Sequence, residues 1–393
     1  MIGMLVRLTP RASTFALAAW ALLALTAPSL AETPPLWPAE DRRALQSILD
    51  ESLQSVTTAP AEQPAPSAPI GNEPSDPDKG APAAPAAQAA VDPERLYSAI
   101  VKVSARAVPN ARSEDTLGQE REGTGVVIGS NGLILTIGYL IAEADDVKIS
   151  DAKGRTFPAQ VLAYDQATGL GLVRSLVPFD ATPIPLGDSA STSEHEPVLI
   201  ASAEDTGAAL AWIVSKRPFT ADWEYALDYA LYTSPPTLGW SGAALIDRNG
   251  RLLGIGSLLV KEATDGETKV PGNLFVPIDL LKPVLADLVK EGHRRGPGRP
   301  WLGITADDDG GHVLVTKVSP DSPADLAGLE PGDVIVGVAN DAVHSESELY
   351  HKLWSHWHAG DEVPLDIRQH GNVRELRVRS IDRLQYFRPK TTI

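Results

Sequence analysis

From Pro93 onward the hydrophobic positions alternate with polar ones in short runs, broken by turn residues at regular spacing. A turn of helix over 96–100 leads into a strand at Val101-Lys102-Val103. The runs Gly125-Val126-Val127-Ile128 and Leu133-Ile134-Leu135-Thr136 flank Ser130-Asn131-Gly132. Further strands are expected at 146–149, 157–163, 170–174, 197–201, 211–214, 230–233, 243–247 and 252–259. Many short strands with Asn-Gly turns, at Asn131-Gly132 and Asn249-Gly250, predict an all-β barrel or sandwich. The spacing of Leu280, Leu281, Val284, Leu285 and Leu288 predicts a closing amphipathic helix over 279–290.

Outside this block the pattern changes. Leu45, Ile48, Leu49 and Leu53 recur at helical spacing behind Pro38. Residues 58–92 are dominated by Ala, Pro, Ser and Asp, a composition that cannot fill a core and reads as a disordered linker. The Gly/Pro/Arg-rich stretch 292–300 is a second linker, and a compact unit of strands and two helices follows. The expected division is therefore 1–31 signal peptide, 32–57 short helix, 58–92 linker, 93–291 β-barrel domain, 292–300 linker, 301–383 second domain and 384–393 tail.

The leader reading rests on basic Arg7 and Arg11, the apolar run 15–25 and the small-x-small site Ser29-Leu30-Ala31. That run is shorter than the ~20 residues a membrane span needs, which favours cleavage over a retained anchor. No later segment is apolar enough to span, so the cleaved product is expected not to be an integral membrane protein. Export to the periplasm is the expected localisation. The 393 residues carry a formal charge of −17, which argues against nucleic acid and anionic membranes as partners. With no cysteine, disulfides, thiol catalysis and Cys-based metal sites are excluded. His351, His356 and His358 fall near one helix end without a positioned carboxylate, so neither a metal nor any other cofactor is expected.

Candidate chemistry centres on Ser241 in Gly239-Trp240-Ser241-Gly242, a small-residue turn before an apolar run. Such a turn exposes a serine and can aim the backbone N–H groups of Gly239 and Ser241 at an oxyanion. The blocks Gly123-Thr124-Gly125-Val126-Val127-Ile128, 131–136, 154–159 and 239–242 lie in order with Ser319-Pro320 through Asp333. Together they resemble the HtrA (DegP-type) serine protease family over about 93–383. The resemblance implies a mostly β fold: a chymotrypsin-like double β-barrel followed by an α+β PDZ domain.

The resemblance also implies where the catalytic residues should stand, and two are replaced. Tyr139 occupies the histidine position and Gly169 the aspartate position, leaving Ser241 as a vestigial nucleophile. No histidine occurs from Asp92 through Glu194, so a register shift cannot supply one. A phenol with a pKa near 10 is a poor base at neutral pH. Tyr139 either fills the volume of the lost imidazole or hydrogen-bonds Ser241. His195 is read as a solvent-exposed turn residue, and Asp165 as a turn cap.

In the second domain, Trp301-Leu302-Gly303-Ile304 matches the carboxylate-binding loop of PDZ domains, where successive N–H groups converge on a C-terminus. Leu349 and Leu353, four apart on a helix over 346–356, would form the opposite wall. The alternative is that these apolar residues are simply core. The expected function is a pseudoprotease that binds protein C-termini or extended peptides as a scaffold or regulator, with active HtrA-type proteases among its candidate partners. Two alternatives stay open: an active serine endopeptidase of periplasmic quality control using Ser241 with a non-standard base, and a chaperone-like holdase. A homo-oligomer is also left open.

Overall fold

The computed structural model describes residues 92–204, 207–266 and 269–389. The leader, the helix near Leu45 to Leu53 and the linker up to residue 91 lie outside the described residues.

Helix α1 (Pro93–Ala99) starts at Asp92, whose carboxylate caps Glu94 N at 3.1 Å, and has proline in its first turn. It feeds strand β1 (Ile100–Ala107), whose alternating burial marks one face turned inward. Short helix α2 (Glu114–Leu117) precedes β2 (Glu120–Gly129), β3 (Leu133–Ile137), β4 (Ala144–Ser150), β5 (Thr156–Asp165) and β6 (Leu170–Ser175). These strands close a barrel in the order β1-β2-β3-β6-β5-β4. The second barrel comprises β7 (Pro197–Ala201), β8 (Ala208–Ala221), β9 (Tyr225–Ser234), β10 (Ala244–Ile246), β11 (Leu252–Val260) and β12 (Gly272–Pro277). It closes in the order β10-β11-β12-β9-β8-β7. The mostly β, double-barrel expectation holds. Gly132 and Gly250 take φ of +72° in their Asn-Gly turns, a conformation that favours glycine.

Two elements differ from the expectation. The helix expected over 279–290 is split into a 3-10 turn, Ile278–Leu280, and α3 (Leu285–Glu291). Pro283 lies between them; it has no N–H to donate and disfavours helical geometry at Lys282. Strands β8 and β9 run well beyond the expected 211–214 and 230–233. They form a long hairpin, with Ala221 opposite Tyr225 and Asp222-Trp223-Glu224 at its tip.

The second domain is a sheet ordered β13-β14-β15-β17-β18, with β16 (Asp341–Ala342) paired to β15. Its strands are β13 (Ile304–Asp309), β14 (His312–Val318), β15 (Val334–Val338), β17 (Glu362–Gln369) and β18 (Asn372–Arg379). Helices α4 (Pro323–Ala327) and α5 (Glu346–His356) are capped by Ser322 and Ser345. This domain has its own apolar core, in which Leu302, Ile304, Leu349, Tyr350 and Leu353 are buried.

The segment expected as a plain tail packs back on the body. It continues from α6 (Arg383–Tyr386), with Tyr386 4.6 Å from the Trp301 ring and Phe387 stacked on Tyr164 at 6.4 Å. Asp165 does more than cap its turn. Its carboxylate accepts from Thr168 Oγ1 at 2.6 Å and from Arg294 Nε and Nη2 at 2.8 and 2.6 Å. This buried carboxylate, 4% exposed, anchors the exit segment to the first barrel. Asp165→Ala is expected to lower unfolding stability by about 1.5–3 kcal/mol, with most of that loss shared with Arg294→Ala in a double-mutant cycle read by urea denaturation. Additive losses would mean that the pair is not coupled.

Candidate functional site

Ser241 sits just before β10 in the second barrel, and Tyr139 lies on a 3-10 turn, Gly138–Leu140, after β3 in the first. Thr124 ties the two barrels together. Its N–H donates to the Ser241 carbonyl at 2.8 Å, and its hydroxyl accepts from Ala203 N at 2.9 Å. Gly242 follows with φ +76°, and a Cβ there would lie 2.0 Å from the Thr124 carbonyl, so only glycine fits this turn. Arg121, 5% exposed, holds the tyrosine turn from beneath by donating to the carbonyls of Tyr139 and Ala142 at 3.1 and 2.6 Å.

Tyr139 Oη lies 2.9 Å from Ser241 Oγ and 3.0 Å from the Ser257 carbonyl oxygen. A phenol has one proton, so it can donate to only one of them. If it donates to Oγ, it occupies a lone pair of the nucleophile. If it donates to the carbonyl, the serine hydroxyl is left to donate to the phenol oxygen. Neither arrangement removes the serine proton. Burial pushes the Tyr139 phenol up to about 12, against the lowering effect of its hydrogen bond to Ser241, so it stays neutral.

Gly169, expected at the aspartate position, has φ +75°, and a Cβ there would meet Tyr225 Oη at 2.9 Å. Tyr225 Oη donates to the Thr168 carbonyl at 2.6 Å, so a neighbouring strand already fills this space. His195 is exposed in the turn before β7, with φ +65° and its N–H donating to the Ile213 carbonyl at 2.7 Å. His293 is exposed on the exit segment.

The loop 301–304 contains a contact that the sequence did not reveal. Leu302 N donates to Glu224 Oε2 at 2.9 Å, and Gly303 N and Ile304 N donate to Glu224 Oε1 at 2.6 and 2.9 Å. Gly303 takes φ +91°, and a Cβ there would lie 2.2 Å from Ser322 Cβ, so glycine lets these N–H groups converge. Two residues back, the Asp222 carbonyl accepts from Ala306 N on edge strand β13 at 3.0 Å. Tyr350 on α5 bridges the tip, its hydroxyl 3.1 Å from the Asp222 carbonyl and accepting from Glu224 N at 3.2 Å. Leu349 and Leu353 are wholly buried on the same helix, and Trp301 packs against Tyr386.

Glu224 is 4% exposed, and burial pushes its carboxyl up to about 7, opposed by the three loop N–H groups and by Arg383. It has φ +57°, a region that costs a side-chain-bearing residue about 1–2 kcal/mol. Asp222, Trp223 and Glu224 contain no Gly, Pro or Asn, which is why the sequence showed no hairpin turn here.

Both domains of the chain have counterparts among known proteins. The family described as "Trypsin-like peptidase domain" matches residues 123–255, and "PDZ domain" matches residues 300–379. The chain is thus a trypsin-like peptidase domain joined to a PDZ domain. Serine endoprotease DegS of Haemophilus influenzae is 28% identical over 262 residues, covering 64% of this chain and 75% of that protein. Serine endoprotease DegS of Escherichia coli is 26% identical over 277 residues, covering 65% and 75%. A solved structure, HtrA-type protease AlgW with decapeptide, aligns with TM-score 0.48 and 18% identity over 76% of this chain and 98% of that one. Across both domains the chain is therefore similar to HtrA-type serine endoproteases.

Two predictions follow from this geometry. Gly169→Asp should not rebuild a triad but should lower stability by about 1–3 kcal/mol in urea denaturation, because it strains the backbone and crowds Tyr225; an unchanged midpoint would show that the turn relaxes. The second concerns Glu224, which lies beside Arg383 and Tyr350. A carboxyl raised from its ordinary 4.5 to about 7 stabilises the fold most at acid pH, and loses that contribution as pH rises through about 7. The difference in Tm between the native chain and Glu224→Gln should therefore shrink between about pH 5 and about pH 8. A difference that grows or stays constant would contradict this.

Proposed function

We propose that this chain is a pseudoprotease: an exported HtrA-family protein that keeps the peptidase fold, has lost hydrolysis, and acts as a peptide-binding scaffold or regulator. The observation that carries this reading is the partner of Ser241 Oγ, a neutral phenol at 2.9 Å where the family pattern has an imidazole. Gly169 adds to it, since no carboxylate can orient a base from that position without displacing Tyr225. Loss of triad members costs several powers of ten in rate, and the residue comes from oxyanion stabilisation and binding.

The PDZ domain match supports recognition of protein C-termini or extended peptides. Active HtrA-type proteases are among the partners such a scaffold would regulate. The leader-like segment 1–31 supports export to the periplasm, and among the described residues no helix is long and apolar enough to cross a membrane.

The test is reaction of the purified protein with a serine-directed phosphonate probe, alongside cleavage of an unfolded model protein. The native chain and Ser241→Ala should be equally unlabelled, and turnover should fall about 10⁴-fold or more below that of an HtrA protease with an intact triad. Stoichiometric labelling that disappears in Ser241→Ala would sink the proposal and favour an active endopeptidase.

A further inference from the structure

We infer that the tip of the β8–β9 hairpin is a built-in ligand of the PDZ groove, so that any incoming C-terminus must displace Glu224 to bind. This rests on the peptide-binding reading of the PDZ domain and adds what the groove holds at rest.

The contacts have the form of a bound peptide end. A C-terminal ligand offers a carboxylate to the converging N–H groups of the loop and adds its backbone to an edge strand. Here the Glu224 carboxylate meets Leu302 N, Gly303 N and Ile304 N. The Asp222 carbonyl takes the next outward N–H of β13, that of Ala306. Ile304 and Ala306 are alternate residues, so their N–H groups point to the same side of the edge strand. The tip thus uses a side-chain carboxylate in place of a terminal one, followed by one β-type backbone bond.

Two further observations show that the tip is specialised. Glu224 holds a left-handed backbone conformation at a turn position where glycine or asparagine would be unstrained. Tyr350 is wholly buried and meets both the Asp222 carbonyl and Glu224 N, so the helical wall of the groove also grips the tip. The hairpin is tied at its other side as well. Tyr225, next to Glu224, donates to the Thr168 carbonyl and fills the space over Gly169. Lifting Glu224 out of the loop therefore pulls on the residue that packs over the former aspartate position, which links PDZ occupancy to the peptidase domain.

The partner must carry a free carboxylate and an extended backbone behind it, since these are the groups it has to replace. The experiment uses the full chain, Glu224→Ala and Glu224→Gln. A pool of fluorescein-labelled heptapeptides with free C-termini, and the same pool amidated, serve as probes. Hydrogen exchange of the peptic fragment covering 300–305 is followed in parallel, with exchange in β10–β12 as the control for folding. Glu224→Ala should bind the free-acid pool at least about tenfold more tightly than the native chain, with no gain for the amidated pool. Amides 302–304 should be protected in the native chain and exposed in Glu224→Ala. Glu224→Gln should fall between them, because its amide NH₂ faces donors that it cannot accept from.

Equal exchange at 302–304 in the native chain and Glu224→Ala, with β10–β12 protected in both, overturns the inference. So does equal affinity of the two for the free-acid pool. If neither binds any peptide but the difference in protection is present, the internal ligand stands and the peptide-binding reading fails.

Discussion

A carboxyl group withdrawn from water must find donors, and Glu224 finds them on another domain. Three backbone N–H groups of the loop 302–304 meet it, and that loop can present them together because Gly303 adopts a conformation closed to other residues. Around this contact the surrounding structure is organised. The long hairpin projects from the second barrel, the edge strand β13 donates to its Asp222 carbonyl, and Tyr350 closes over both. The segment after the PDZ sheet packs back through Tyr386 and Phe387, so the domain is held to the peptidase body on two sides. Barrels and PDZ domain accordingly form parts of one compact unit.

The site around Ser241 obeys the same rule of satisfied polar groups. In an active triad the serine hydroxyl is paired with a group that can take its proton. Here it is paired with a phenol that burial keeps protonated, and that phenol is itself shared with the Ser257 carbonyl. The hydrogen-bond demand of the site is met without a base. Packing meets the same demand nearby, since Tyr225 fills the volume over Gly169 and satisfies the Thr168 carbonyl. The turn around Ser241 is well defined, with Gly242 and Thr124 joining the two barrels.

Several individual residues show how far the sequence could be read. The Asn-Gly turns and the period-2 runs located both barrels, because left-handed turn geometry and alternating burial leave a local imprint. The PDZ helix was legible over its whole length, 346–356, since Ser345 and the spacing of Leu349 and Leu353 are local signals. Pro283 splits the helix after β12, a break that the spacing of the leucines alone does not show. Arg121 gave no signal at all; its role depends on carbonyls of a turn 18 and 21 residues away. Glu224 was equally silent. It lies about 80 residues before the loop it meets, in a turn without the usual turn residues.

By itself, the sequence determined the resemblance to a family, the order of the domains and the absence of histidine from Asp92 through Glu194, because each depends on residue identity at a local spacing. Only the tertiary structure decided which side chains meet at these positions. Whether Tyr139 reached Ser241, what stood over Gly169, and which group met the PDZ loop all depend on side chains from distant segments meeting at hydrogen-bonding range. Such meetings are set by the closure of two barrels and the docking of a third domain, and no local pattern encodes them.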